Sequence, residues 1–124
     1  MKKLSVNDII KQHSKLIKIT GGLDGVRDEN MLENSVMNCY QTFDGIELYP
    51  TVIEKASRLA YSLCYNHPFI DGNKRIAILS YMLMLNLNGL TLKATQKELI
   101  ELGLSMANGI MSYDDVLRWT NEHL

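Results

Sequence analysis

Apolar residues recur at three- and four-residue intervals along most of the chain, and the strict alternation of a half-buried strand is scarce. Val6, Ile9, Ile10, Leu16 and Ile17 form the first stripe, with Ser5 ahead of it as an N-cap, which predicts a helix to about Lys18. Thr20-Gly21-Gly22-Leu23-Asp24-Gly25 breaks the pattern, because three glycines in five positions favour turn geometry. A second helix is expected from near Asp28 to about Gln41, burying Met31, Leu32 and Val36, with Tyr40 at its far end. Asp44-Gly45 is a turn dipeptide between Phe43 and Ile46-Glu47-Leu48-Tyr49. A short hairpin or flap fits this segment, and so does an ordinary loop between helices.

Thr51-Val52-Ile53-Glu54 has the spacing of a capping box and opens a third helix. Val52, Ile53, Ala56, Leu59, Ala60, Leu63 and Cys64 share its inward side, and Pro68 ends it near His67 by disfavouring helical geometry in the residue before. A fourth helix starts at Gly72 or Asn73 and reaches Asn88, with Gly89 as its C′ residue. Ile76, Ala77, Ile78, Leu79, Met82, Leu83, Met84, Leu85 and Leu87 make it apolar nearly all round, which predicts a place at the centre of a bundle. Thr95-Gln96-Lys97-Glu98 is a second capping-box match, leading to about Asn108, and Ser112 caps a last helix carrying Val116, Leu117 and Trp119. With no internal repeat, low-complexity segment or linker, the expected fold is all-α: one domain over residues 1–124, a bundle of about six helices with room for a short flap or hairpin.

Composition narrows the function classes. A hydrophobic fraction of 46% and a charged fraction of 22% are ordinary for a globular protein, and the formal net charge of −1 exerts no overall pull toward DNA or RNA. Direct DNA binding is not expected. Lys11, Lys15 and Lys18 recur at helical spacing and read as a solvated face. Cys39 and Cys64 match no metal-ligand spacing, and Cys64 on an apolar face reads as a core thiol. The longest apolar run, Ile76 to Leu87, is too short to span a bilayer, and no apolar signal core follows Met1-Lys2-Lys3. A reduced, cytoplasmic protein is the expectation, with no membrane partner.

One stretch is dense in chemistry: His67-Pro68-Phe69-Ile70-Asp71-Gly72-Asn73-Lys74-Arg75. It lies at the tip of the hairpin made by the third and fourth helices. The start of the fourth helix offers unpaired N–H groups and a partial positive charge. Gly72 permits close approach, and Asn73, Lys74 and Arg75 add donors. Cations at a helix start oppose its dipole by about 0.3–1 kcal/mol each, a penalty that a bound phosphate reverses. His67 is suited to general-base work near neutral pH, and Asp71, beside a polyphosphate, to holding Mg²⁺. Singly, each residue has a structural reading: a helix-terminal histidine, a capping aspartate, solvated cations, and Phe69 as an anchor. Together they describe activation of a hydroxyl next to a clamped nucleotide phosphate.

The stretch resembles the Fic/Doc signature H-x-F-x-[DE]-[AG]-N-[KG]-R, and Gly21-Gly22-Leu23 through Arg27-Asp28 resembles the amino-terminal region of the Doc (death on curing) branch. The resemblance implies His67 as the base that activates a target hydroxyl, Asp71 as the Mg²⁺ ligand, and Gly72, Asn73, Lys74 and Arg75 around the phosphates of ATP. The Phe43 to Tyr49 segment would be the flap that aligns a protein substrate. Fic AMP-transferases usually carry glycine where Lys74 stands and a second arginine where Ile78 stands. A lysine crowds the anion hole that glycine leaves open, and the missing arginine removes a partner for the terminal phosphates.

Doc toxins share the lysine, so the implied activity is γ-phosphate transfer from ATP to a hydroxyl of a translation factor, with elongation factor Tu the expected target. The family's internal inhibitory pattern [ST]-x-x-x-E-[GN] is absent from this chain. Control is therefore expected in trans, from a cognate antitoxin docking a helix in a groove near the site. The alternatives are a Fic-type AMP-transferase and a non-catalytic binding module on the same fold.

Overall fold

A computed structural model describes all residues, 1–124. Six helices share one apolar core: α1 (Val6–Thr20), α2 (Glu29–Met37), α3 (Val52–Asn66), α4 (Asn73–Leu87), α5 (Gln96–Ala107) and α6 (Tyr113–Glu122). Each start is explained locally. Ser5, Thr51, Thr95 and Ser112 close full capping boxes with Asp8, Glu54, Glu98 and Asp115, and the Asp28 carboxylate accepts from the Met31 N–H. The all-α bundle expected from the apolar periodicity is the observed fold.

Two boundaries differ from the periodicity. α2 stops at Met37, and a single 3₁₀ turn over Asn38–Tyr40 follows it, which drives Cys39 into the core. α1 continues to Thr20, because only Gly21 takes the chain out of helical geometry. The segment after the 3₁₀ turn is a hairpin of β1 (Thr42–Phe43) and β2 (Ile46–Glu47), in antiparallel register with Phe43 opposite Ile46. Asp44 and Gly45 both have positive φ, the geometry a two-residue I′-type connection needs.

The centre of the bundle is α3, not α4. α3 packs on α2, α4, α5 and α6, and buries residues almost all round, including Lys55, Ser57 and Ser62. α4 fully buries one face (Ile76, Ala77, Ser80, Tyr81, Met84, Leu85) while Ile78, Leu79 and Met82 flank an open groove against α1 and α5. Apolar residues around the whole of α4 therefore serve two surfaces, a core and a groove. Lys11, Lys15 and Lys18 are exposed, as a solvated face requires. No helix is long and apolar enough to cross a membrane.

Candidate active site

α3 and α4 are held tip to tip by residues 67–72, and this loop is clamped from below by the segment that follows α1. The clamp is backbone: the Arg27 and Asp28 N–H groups donate to the Pro68 carbonyl (2.8 and 3.2 Å), and the Ile70 N–H donates to the Gly25 carbonyl (3.1 Å). Within the loop, the Asn73 side chain locks Phe69, its oxygen accepting from the Phe69 N–H (2.9 Å) and its amide donating to the Phe69 carbonyl (3.0 Å). Phe69 is buried and anchors the loop in the core. One amide hydrogen of Asn73 is left for a ligand, less than its side chain alone suggests.

His67 ends α3 in the left-handed region (φ +48°), uncommon for a residue with a side chain. Arg27 holds it there, donating from Nε to the His67 carbonyl (2.7 Å) and from Nη2 to the Asn66 carbonyl (3.0 Å), so the open end of α3 is satisfied by a guanidinium. The turn throws the His67 side chain outward, where it is exposed and engaged by no other side chain.

Five helices begin with a side-chain cap, but α4 begins at Gly72 with none. Its first-turn N–H groups are thus open to a ligand. Gly72 has φ +74°, and a Cβ there would come within 3.1 Å of Ile17 Cδ1. Asp71 does not cap the helix in the usual sense: Oδ1 accepts from the Gly72 N–H (2.8 Å) and Oδ2 from the Leu23 N–H (3.1 Å). Those two bonds, Leu23 first, hold its carboxyl below the usual range, with Arg75 and His13 adding smaller attraction. Arg75 lies 3.7 Å from Asp71 and donates to Thr20 Oγ1 and to the Gly21 carbonyl (2.8 Å) at the end of α1.

His67, Asp71, Gly72, Asn73, Lys74 and Arg75 line one open pocket of ≈ 270 Å³, with Ile70 as the seventh lining residue. The six candidate site residues of the sequence are brought to this one place. Asp71 is the only carboxylate in that lining, and no three His, Cys, Asp or Glu side chains converge as a metal cage. A hard cation here would rest on Asp71, phosphate oxygens and water, which is the pattern Mg²⁺ takes beside a nucleotide.

Several neighbours of the candidate site were not legible in the sequence. His13 reaches Asp71 from the inward face of α1, where its place between Ile9 and Ile17 was the available signal. Gly22 lies so close that a Cβ would meet Asp71 Oδ2 at 2.5 Å, and Arg27 sets the His67 turn. Beside the pocket runs a larger apolar groove of ≈ 560 Å³ between α1, α4 and α5, lined by Leu16, Ile78, Leu79, Met82, Leu99, Ile100 and Leu104 among others. Lys74 and Arg75 line both hollows.

This helical bundle, with its histidine-bearing turn facing an uncapped helix start, belongs to the Fic/DOC family, whose profile matches residues 3–85 and so includes the whole clamped loop. The chain is similar to "Toxin Doc" of Mycolicibacterium smegmatis, 39% identical over 74 residues, which are 60% of this chain and 57% of that protein. It is also similar to "Protein kinase doc" of Escherichia phage P1, 28% identical over 116 residues, covering 94% of this chain and 90% of that one. The match to the mycobacterial protein thus spans little more than half of that relative's length.

Proposed function

We propose that the chain is a Doc-type toxin, one domain over its 124 residues, that transfers the γ-phosphate of ATP to a hydroxyl of a translation factor, with elongation factor Tu the expected target. The observation that carries the phosphate reading is the uncapped start of α4, flanked by Lys74 and Arg75 and facing the exposed His67. The names of the two relatives, a toxin and a protein kinase, agree with it.

In this reading His67 accepts the proton of the attacking hydroxyl, whose oxygen forms a bond to the γ-phosphorus as the bond to the β-phosphate bridging oxygen breaks and ADP departs. The first-turn N–H groups of α4, Lys74 and Arg75 balance the charge spread over the transferred group. Asp71 would hold Mg²⁺, which when bound neutralises phosphate charge. Ile78, where AMP-transferases of the family usually have an arginine, lines the apolar groove, so no cation at that position draws the terminal phosphates deeper. Lys74 at the pocket further favours γ-phosphate transfer over AMP transfer.

The groove supports the expectation of an antitoxin acting in trans. Its apolar walls suit the face of an amphipathic helix, and an acidic residue at the end of that helix would meet Lys74 and Arg75. The test of the reading is direct. Purified chain with γ-labelled ATP, Mg²⁺ and elongation factor Tu should label the factor, and His67→Ala should abolish labelling. Transfer from α-labelled ATP instead would establish AMP transfer. Growth unaffected by expression of the chain alone would favour a binding module without turnover.

A further inference from the structure

His13 is 1% exposed within the apolar face of α1, where an unpaired imidazole would be costly. It has partners on three sides. Nε2 lies 2.7 Å from the Asp71 carbonyl, Nδ1 lies 3.4 Å from Asp24 Oδ1, and the ring stacks on Phe69 with centroids 3.9 Å apart at 12°. A carbonyl oxygen only accepts, so Nε2 carries a hydrogen and donates it. One ring therefore grips the motif loop at Phe69 and Asp71, on either side of Ile70, with the Asp24 carboxylate of the glycine segment beside Nδ1.

The Asp71 carbonyl belongs to the peptide that joins Asp71 to Gly72. In a trans peptide the C=O and N–H point in opposite directions. With its carbonyl directed inward onto His13, this peptide must present the Gly72 N–H on the other side, where it holds Asp71 Oδ1 at 2.8 Å. The reverse orientation would turn a carbonyl oxygen toward the pocket and release the Asp71 carboxylate. Gly72, free to adopt either sign of φ, offers little resistance to such a flip.

We infer that His13 is a positioning residue, which locks the Asp71–Gly72 peptide with its N–H toward the site and its carbonyl away from a bound anion. The inference rests on the phosphate-transfer reading above for its effect on rate, but not for its effect on the loop. Two substitutions separate its parts. His13→Phe keeps a stacked ring on Phe69 and loses the donor, whereas His13→Gln keeps an N–H near the position of Nε2 and loses the ring.

The experiment measures phosphate transfer, melting temperature and amide hydrogen exchange over residues 67–75 in the wild type, both variants and His67→Ala. His13→Phe should lower kcat by about 10–100-fold, the scale of a misplaced reacting group, with exchange raised in 67–75 but not in α3 or α6. His13→Gln should regain most of the rate and of the protection. The inference is overturned if His13→Phe keeps kcat within about twofold, if His13→Gln is no better than His13→Phe, or if exchange rises throughout the chain, marking a role in the fold alone. A wild-type protein that transfers no phosphate would sink the functional reading, and the exchange pattern would then decide the loop inference by itself.

Discussion

Adjacent glycines at the end of α1 allow a sharp separation of backbone strain from damage to the site. Gly21 (φ +87°) and Gly22 (φ +118°) both adopt geometry that L-residues resist, so alanine at either should cost about 1–3 kcal/mol of stability. Their surroundings differ. A Cβ at Gly21 has nothing within 4 Å, whereas one at Gly22 meets Asp71 Oδ2 at 2.5 Å and Arg75 Nη2 at 3.1 Å. To restore ordinary contact the Asp71 carboxylate must retreat by roughly 1 Å, which breaks its 3.1 Å bond from the Leu23 N–H. A displacement of that size at a reacting centre is worth about 10²-fold in rate. Gly22→Ala should therefore lose about 10²-fold in phosphate transfer and require more Mg²⁺ for half-maximal activity, while Gly21→Ala loses less than about threefold. Label transfer at several Mg²⁺ concentrations, with urea denaturation of both variants, measures the two effects separately. Equal activity losses in the two variants, or an unchanged Mg²⁺ requirement in Gly22→Ala, would refute the placement of Asp71 as the metal-holding carboxylate.

Other outcomes follow from the same structure. Asp8, Asp24, Asp71, Glu98 and Asp115 all have carboxyl pKa values held below their ordinary range, each chiefly by a hydrogen bond: from the backbone for all but Asp24, from Ser14 Oγ for Asp24. Groups depressed in the folded state stabilise it above their unfolded pKa and lose that contribution as pH falls through the folded value, so the melting temperature should hold down to about pH 4 and drop below it. A melting temperature unchanged between pH 5 and 2.5 would contradict this. Lys55, 1% exposed, donates to Glu47 Oε1 at 3.0 Å and to the Tyr49 carbonyl, tying the hairpin to α3. Lys55→Met should cost about 1–2 kcal/mol in denaturant titration and raise KM for the protein substrate, leaving KM for ATP unchanged. Burial pushes the Cys39 and Cys64 thiols up to about 11, so a thiol-directed disulfide reagent at pH 8 should leave both unmodified in the native protein and label both in denaturant.

Helix starts were legible because their determinants are local. A Ser or Thr three residues before an acid, ahead of an apolar run, is the signature of a capping box, and four of the six helices open on one. Helix ends were less so: apolar spacing carries α2 on toward Gln41, but closing the core over Cys39 tightens its last residues into a 3₁₀ turn. The central helix was misread because composition reports how apolar a helix is and not how many neighbours it has. α4 is richer in large aliphatic residues, yet α3 sits among four other helices, and its buried Ser57, Ser62 and Lys55 mask that from the sequence. The hairpin between Phe43 and Glu47 was one of two readings, decided by the positive φ of Asp44 and Gly45 and by strand pairing.

The chain's own order of residues determined the candidate site's membership: six candidate residues within nine positions must end near one another at the tip of a helical hairpin, because local chain geometry leaves them nowhere else to go. Tertiary structure decided their orientation. The inward carbonyl of Asp71, the outward His67 and the anchored Arg75 depend on His13, Arg27 and Thr20, which lie 40 to 58 residues away in sequence. Such partners carry no local signal, since a hydrogen bond across the fold is made by whichever donor the packing of α1 brings to the loop.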